Sequence, residues 1–137
     1  MSEIGVSQLG KAIERLEESL AAHRAEPEQL MFRDSVIKRF EFTFELAQSL
    51  LRKFVVAFSV NAKEREHLTF PTMIRTASQD GVLLHGYDLW IKFREAWNRT
   101  SHAYNEDQAV AVMDLVPRFL EEVKFVYTRL GEELGDA

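Results

Sequence analysis

The sequence predicts an all-α protein, an antiparallel up-and-down four-helix bundle with one additional short helix. Apolar residues recur at intervals of three and four along most of the chain, the spacing that places side chains on one face of an α-helix. Glycine (6) and proline (3) are scarce, as expected for long helices joined by few turns. No segment shows the alternating pattern of a β-strand. These three observations favour a helical bundle over any sheet-containing fold.

Length, charge and composition exclude several classes of protein. The 137 residues fit one domain, which we take to span residues 1–137. A formal net charge of −5 argues against a protein that mainly coats duplex nucleic acid, although a local basic patch could bind a nucleotide. The absence of cysteine excludes disulfides and thiolate chemistry. No apolar run reaches the ~18 residues of a membrane span, and the amino terminus lacks signal-peptide features, so we expect a soluble cytoplasmic protein.

The first predicted helix begins with Ser7 as its N-cap and ends near Ala25. Its apolar positions step by four, three and four: Leu9, Ile13, Leu16 and Leu20. Pro27 cannot continue a helix interior but suits the first turn of the next helix. Residues 25–27 should therefore form a tight connection between antiparallel neighbours.

The second predicted helix, about residues 28–59, is the longest periodic run. Its apolar seam repeats at intervals of three and four: Ile37, Phe40, Phe44, Ala47, Leu51 and Phe54. Further apolar residues widen this stripe, as in a helix that packs on two sides or contributes to a subunit interface: Phe42, Leu50, Val55 and Phe58. We interpret Glu41 and Glu45 as a solvated or partner-facing edge, because no histidine lies beside them at metal-ligand spacing.

The rest of the chain predicts a loop and three further helices. Residues 60–68 are polar and should form a loop or a frayed helix end. A short helix follows, with Thr69 before it and Gly81 just beyond it, and the next helix begins at Tyr87 or Asp88. Asn105 and Gln108 have the spacing of a capping box for the last helix. Pro117 removes a backbone donor inside that helix, so we expect a kink or break near Asp114.

Residues 93–106 crowd amide, hydroxyl, imidazole and phenol groups into what is predicted to be one helix end. Asn98, Ser101 and His102 lie three and four residues apart, so they would share one helical face and could converge. His102 could act as a general acid or base, or could be a capping or core histidine. The remaining histidines fit no metal spacing, and we assign them no role and predict no metal or cofactor: His23, His67 and His85.

An aromatic row, Trp90, Phe93 and Trp97, runs beside that polar face at helical spacing. The row could pack in the core or at a dimer interface, or it could stack a base. Together with the stripe of the second helix, it holds more apolar surface than one core should need. We therefore predict a homodimer whose interface includes the face that carries His102.

Three separated segments resemble the nucleotidyltransferase substrate-binding protein family of the HEPN superfamily, which includes HepT-type toxins. The segments are residues 39–46 (RFEFTFEL), Arg75-Thr76-Ala77 followed by Gly81, and residues 98–106 (NRTSHAYNE). The resemblance covers about residues 5–130. It implies a helical bundle that dimerises, paired with a small separate nucleotidyltransferase in a toxin–antitoxin-like module, and it suggests a nucleotide or RNA as ligand.

HepT-like members carry an Arg, four residues, a His, one residue and a Tyr. His102 and Tyr104 match this pattern, whereas Trp97 occupies the Arg position. The resemblance implies that the Arg and His of two protomers line a cleft used for RNA cleavage, and that the Tyr can be modified by nucleotidyl transfer. An uncharged indole cannot stabilise charge on a scissile phosphate. Arg94 and Arg99 are near in sequence, and Glu95 is spaced to pair with Arg99.

Three functions stay open. The first is a non-catalytic subunit that binds a substrate or nucleotide for a partner transferase, which Trp97 favours. The second is a HepT-like, metal-independent RNase toxin with His102 as general acid or base, and the third is a dimeric interaction module without a small ligand. The candidate binding residues are Arg94, Trp97, Asn98, Ser101, His102 and Tyr104. Tyr104 should reach solvent, either as a site of modification or as a hydrogen-bonding residue across the dimer. We expect little or no RNase activity from the chain alone.

Overall fold

The computed structural model describes residues 5–135, and every regular element in this range is helical, which confirms the all-α prediction. The helices are α1 (Val6–Ala25), α2 (Leu30–Phe58), α3 (Ala62–Arg65), α4 (Phe70–Gln79), α5 (Tyr87–Arg99) and α6 (Glu106–Leu134), with a 3-10 turn (Thr100–His102) between α5 and α6. Within the same range no helix is long and apolar enough to cross a membrane.

The core lies where α1, α2 and α6 pack against one another, with α4 and α5 against α2 and α5 also against α6. Its centre is aromatic. The Phe119 ring of α6 meets Phe40 of α2 and Phe93 of α5 edge to face, with ring centroids 4.9 and 5.2 Å apart. Phe93 and Trp90 are fully buried in a single chain. These two members of the predicted aromatic row are therefore core residues, and they supply neither a base-stacking surface nor surplus area for a dimer.

The start of α1 and the first connection differ from the prediction. Gly5 is the N-cap of α1, and its N–H donates to the Gln8 side chain (3.2 Å). Ser7 is therefore inside the first turn, and its prediction as the cap is wrong. α1 ends at Ala25 as predicted, but Pro27 lies in the connection, because α2 begins only at Leu30 after a turn closed by Gln29 N–H on the Glu26 carbonyl (3.1 Å).

Residues 60–68, predicted as a loop or frayed end, contain the one-turn helix α3. Asn61 and Glu64 form a reciprocal capping box: each side chain accepts the other residue's backbone N–H, at 2.8 and 3.0 Å. The structure confirms the predicted start and end of α4. Thr69 accepts the Thr72 N–H (3.3 Å), and Gly81 has a φ of 78°, a left-handed conformation that glycine adopts without steric cost.

The last helix is capped as predicted at Asn105, whose side chain accepts the N–H groups of Asp107 (2.9 Å) and Gln108 (3.3 Å). The second half of the predicted capping box is wrong, because the Gln108 side chain accepts from Arg99 instead (2.7 Å). Of the kink or break expected near Asp114, the break does not occur. α6 runs from Glu106 to Leu134 through Pro117, which costs one hydrogen bond, while the buried neighbours Val116, Phe119 and Leu120 hold the helix in the core.

Candidate functional site

The polar segment after α5 is not one helix end. α5 stops at Arg99 and the chain continues as the 3-10 turn. Two hydroxyls satisfy carbonyls of the last helical turn: Thr100 donates to Trp97 O (2.7 Å) and Ser101 to Asn98 O (3.2 Å). From Thr100 the chain therefore continues in 3-10 rather than α-helical register, and within the described residues no hydrogen bond joins the side chains of Asn98, Ser101 and His102, so their convergence stays a prediction.

A cleft of about 430 Å³ separates α2 from this turn. It is lined by Asp34, Ile37, Lys38, Glu41, Thr100, Ser101, Ala103 and Tyr104. Of the predicted binding residues, Ser101 and Tyr104 therefore line the cleft. Asn98 and His102 are exposed near it without lining it. Tyr104 is 90% exposed, so its phenol reaches solvent as predicted.

The charges around the cleft are mainly negative. Lys38 is the single cation among the lining residues that the structure describes, and its ammonium pairs with Glu41 (3.2 Å), while Asp34 adds a second carboxylate. Behind the cleft, the Arg33 guanidinium binds both oxygens of Glu106 (2.9 Å each) and joins the start of α2 to the start of α6. No group of three or more histidine or acidic side chains within residues 5–135 is arranged to hold a metal ion.

Trp97 fixes the end of α5 to α2. Its indole N–H donates to the Glu45 carboxylate (2.9 Å), and its ring lies 6.0 Å from that of Phe44 between centroids. Glu45 is exposed, as predicted for a solvated edge, and in addition it accepts the hydrogen bond of the indole at the motif position. Spacing along α2 gave no signal for this contact, because the two residues are 52 positions apart.

Neither nearby arginine replaces the missing motif Arg. The Arg94 guanidinium lies over the Phe70 ring, 4.7 Å from its centroid, and so faces α4. The Arg99 guanidinium is bound to Gln108, and this contact replaces the predicted pairing with Glu95. The cleft therefore has no guanidinium among its described lining residues.

The buried carboxylate of Glu122, which is absent from the residues predicted above, organises the loop before α5. Glu122 is fully buried and accepts from Leu84 N (2.9 Å), His85 N (3.0 Å) and Trp90 Nε1 (3.0 Å), with His85 Nδ1 at 2.8 Å. His85, which had been assigned no role, thus has a structural one. A signal existed in the spacing: Glu122 follows Phe119 by three residues, inside the apolar stripe of α6.

Three comparisons with known proteins agree with this fold. The chain matches the family model described as nucleotidyltransferase substrate binding protein like over residues 5–132. It is 29% identical over 96 residues to a probable ribonuclease HepT of Haemophilus influenzae, a match that covers 70% of this chain and 65% of that protein. It also resembles a solved Haemophilus influenzae structure that reveals the fold of a substrate binding domain of a nucleotidyltransferase, with a TM-score of 0.83, 23% identity, and coverage of 91% of this chain and 98% of the other.

Proposed function

The chain belongs to the nucleotidyltransferase substrate binding protein like family, and from this premise we propose that it is a substrate- or nucleotide-binding subunit that pairs with a separate small nucleotidyltransferase. The single observation that carries this proposal is the position of Tyr104. Its phenol is 90% exposed on the rim of the cleft, so a partner's active site can reach it. The structural alternative, a Tyr104 hydrogen bond across a homodimer, predicts no modification.

The charges of the cleft favour a subunit that presents an acceptor over one that does phosphate chemistry by itself. Two carboxylates, Asp34 and Glu41, line the cleft with one ammonium, that of Lys38. Phosphate groups need cations or directed N–H donors in a site that cleaves or transfers them. The transferase would therefore supply those groups, and the Tyr104 oxygen would attack the α-phosphorus of ATP. A new O–P bond forms, the bond to pyrophosphate breaks, and the phenolic proton passes to a base of the transferase.

We propose that the subunit acts as a homodimer across the corner that carries the cleft. Four large side chains there are strongly exposed: Leu30 (59%), Met31 (70%), Tyr104 (90%) and Val110 (44%). Each lies within four residues of Arg33 or Glu106, the ion pair that joins α2 to α6. An exposed apolar group of this kind is typical of an interaction surface. This surface, rather than the buried Trp90 and Phe93, supports the proposal of a dimer.

Co-expression with a candidate transferase tests the proposal. We expect the two chains to copurify and the intact mass to increase by one nucleotidyl group that maps to Tyr104 and is absent from Tyr104→Phe. The matched control is Tyr127→Phe, a tyrosine that is also partly exposed (37%) but lies within α6, away from the turn that carries Tyr104. An unmodified chain beside a transferase that is active on another substrate would exclude modification and leave Tyr104 a structural role.

The second candidate is a HepT-like RNase, favoured by the match to a probable ribonuclease and by the exposed His102 imidazole. The Trp97 indole at the Arg position and the acidic cleft argue against it, since the loss of one transition-state charge contact costs about 10²-fold or more. We expect both the purified protein and its His102→Ala variant to leave transfer RNA intact. Cleavage that His102→Ala abolishes would establish the RNase and overturn this expectation.

A further inference from the structure

A second groove, away from the cleft, runs between α1 and α2. It has a volume of about 450 Å³ and is lined by Gln8, Lys11, Ala12, Arg15, Arg39, Phe42, Thr43 and Leu46. α6 packs on α1 and α2 through the core stripe, and the groove residues lie on another side of the same helix pair. The groove exists because its floor is made of small or buried side chains, Ala12 and Thr43, while longer ones stand on both rims.

The groove combines an exposed aromatic ring with positive charge. Phe42 is 57% exposed, although it lies in the middle of a 29-residue helix whose other phenylalanines, from Phe40 to Phe54, are buried. Lys11 and Arg15 are exposed one turn apart on α1, and the Arg39 guanidinium is held in place by a hydrogen bond to the Arg15 carbonyl (2.8 Å). None of the eight lining residues is acidic. The groove therefore carries local positive charge, although the net charge of the chain is −5.

We infer that this groove binds an acidic amphipathic helix of a partner protein. The groove follows α1 from Gln8 to Arg15 and α2 from Arg39 to Leu46, which is about two turns of helix or roughly 10 Å at 1.5 Å per residue. A bundle of antiparallel helices accepts a further helix in such a groove, with apolar side chains on the floor and against Phe42. The three cations then require carboxylates on the flanks of that helix.

Two other occupants fit the groove less well. In a symmetric pairing of two copies of this chain the same patch meets itself, which brings the cations of the two rims together. A mononucleotide needs donors directed at its phosphates, whereas the exposed Lys11 and Arg15 side chains are not fixed by any ion pair within residues 5–135. An acidic helix carries several carboxylates along its length, and these can pair with cations that are spread over one turn of α1.

The test uses the full chain, labelled with ¹⁵N for NMR, and two designed peptides of about 16 residues, long enough to form helix in isolation. Both peptides carry leucines at positions i, i+4 and i+7. One has glutamates on the flanks and the other has lysines at the same positions. We expect the glutamate peptide to shift the amide signals of the groove residues, and the lysine peptide to leave them unchanged.

Three variants locate the interaction. Phe42→Ala and the double charge reversal Lys11→Glu with Arg15→Glu should each weaken binding of the glutamate peptide about tenfold or more. The matched control Phe58→Ala removes an equally exposed ring (60%) from the same helix and should change binding less than twofold. All of these side chains are exposed, so circular dichroism should show unchanged helix content and melting temperature.

Four results with the peptides and the Phe42→Ala variant would overturn the inference. They are the absence of shifts with either peptide, equal binding of both peptides, undiminished binding by Phe42→Ala, and a wild-type dimer in light scattering that Phe42→Ala converts to a monomer. The last would assign the groove to a second copy of this chain. Shifts of the groove signals by ATP without any shift by the glutamate peptide would likewise exclude a helix and identify a nucleotide site. The peptide titration needs no transferase, so its outcome is independent of the function proposed above.

Discussion

Replacing the buried Glu122 is expected to destabilise the fold more than replacing any exposed carboxylate of α6. In Glu122→Ala, the indole N–H of the fully buried Trp90 loses its acceptor, as do the backbone N–H groups of Leu84 and His85. An unsatisfied buried donor costs about 1–3 kcal/mol. We take about 2 kcal/mol for the indole and about half of that for each backbone donor, since water can reach the part-buried loop, which gives a loss of about 3–5 kcal/mol.

Urea denaturation followed by circular dichroism and tryptophan fluorescence measures this loss. Two protein concentrations separate self-association from folding. The matched control is Glu121→Ala, which removes a neighbouring exposed carboxylate and should change the free energy of unfolding by less than about 0.5 kcal/mol. Glu122→Gln keeps the shape of the side chain and one carbonyl oxygen, and should lower the free energy of unfolding by about 1–3 kcal/mol. This variant allows the loss to be measured even when Glu122→Ala does not fold. A loss below about 1 kcal/mol in Glu122→Ala would refute the role of the carboxylate as a required acceptor.

Three further expectations concern a helix cap, a close contact and the proposed dimer. Asn105→Ala should lower the free energy of unfolding by about 1 kcal/mol, and an equal loss in the control Gln108→Ala, whose side chain caps nothing, would contradict the cap. Gly10→Ala should destabilise the native protein, because the new Cβ would lie 2.8 Å from the Tyr127 ring. In a Tyr127→Ala background, where that ring is absent, the same substitution should raise the free energy of unfolding by about 0.5–1 kcal/mol. A change of the same sign in the free energy of unfolding in both backgrounds would refute the clash. Met31→Glu, a charge placed on the exposed corner, should convert a dimer to a monomer in light scattering, and a dimer that tolerates it would place the interface elsewhere.

The sequence by itself determined the class of the fold and most helix limits. Periodicity and caps act within one or two turns, so the end of α1 at Ala25, the caps Thr69 and Asn105, and the left-handed Gly81 were all predicted. The family was also predicted, because the three segments that carry the resemblance can be recognised in the sequence alone. Local signals failed in some places, as at the start of α1, where the Gln8 side chain accepts the Gly5 N–H and Ser7 lies within the helix, and at Pro117, which α6 passes without a break.

Only the tertiary structure decided what the polar segment after α5 can do. The contacts that set it join residues far apart in the chain: Trp97 with Glu45, Arg33 with Glu106, and Trp90 with Glu122. Spacing along one helix carries no information about which residue of another helix lies opposite, because that depends on how the helices pack. Packing therefore buried Trp90 and Phe93, held Trp97 against α2, and brought Ser101 and Tyr104 to the lining of the cleft.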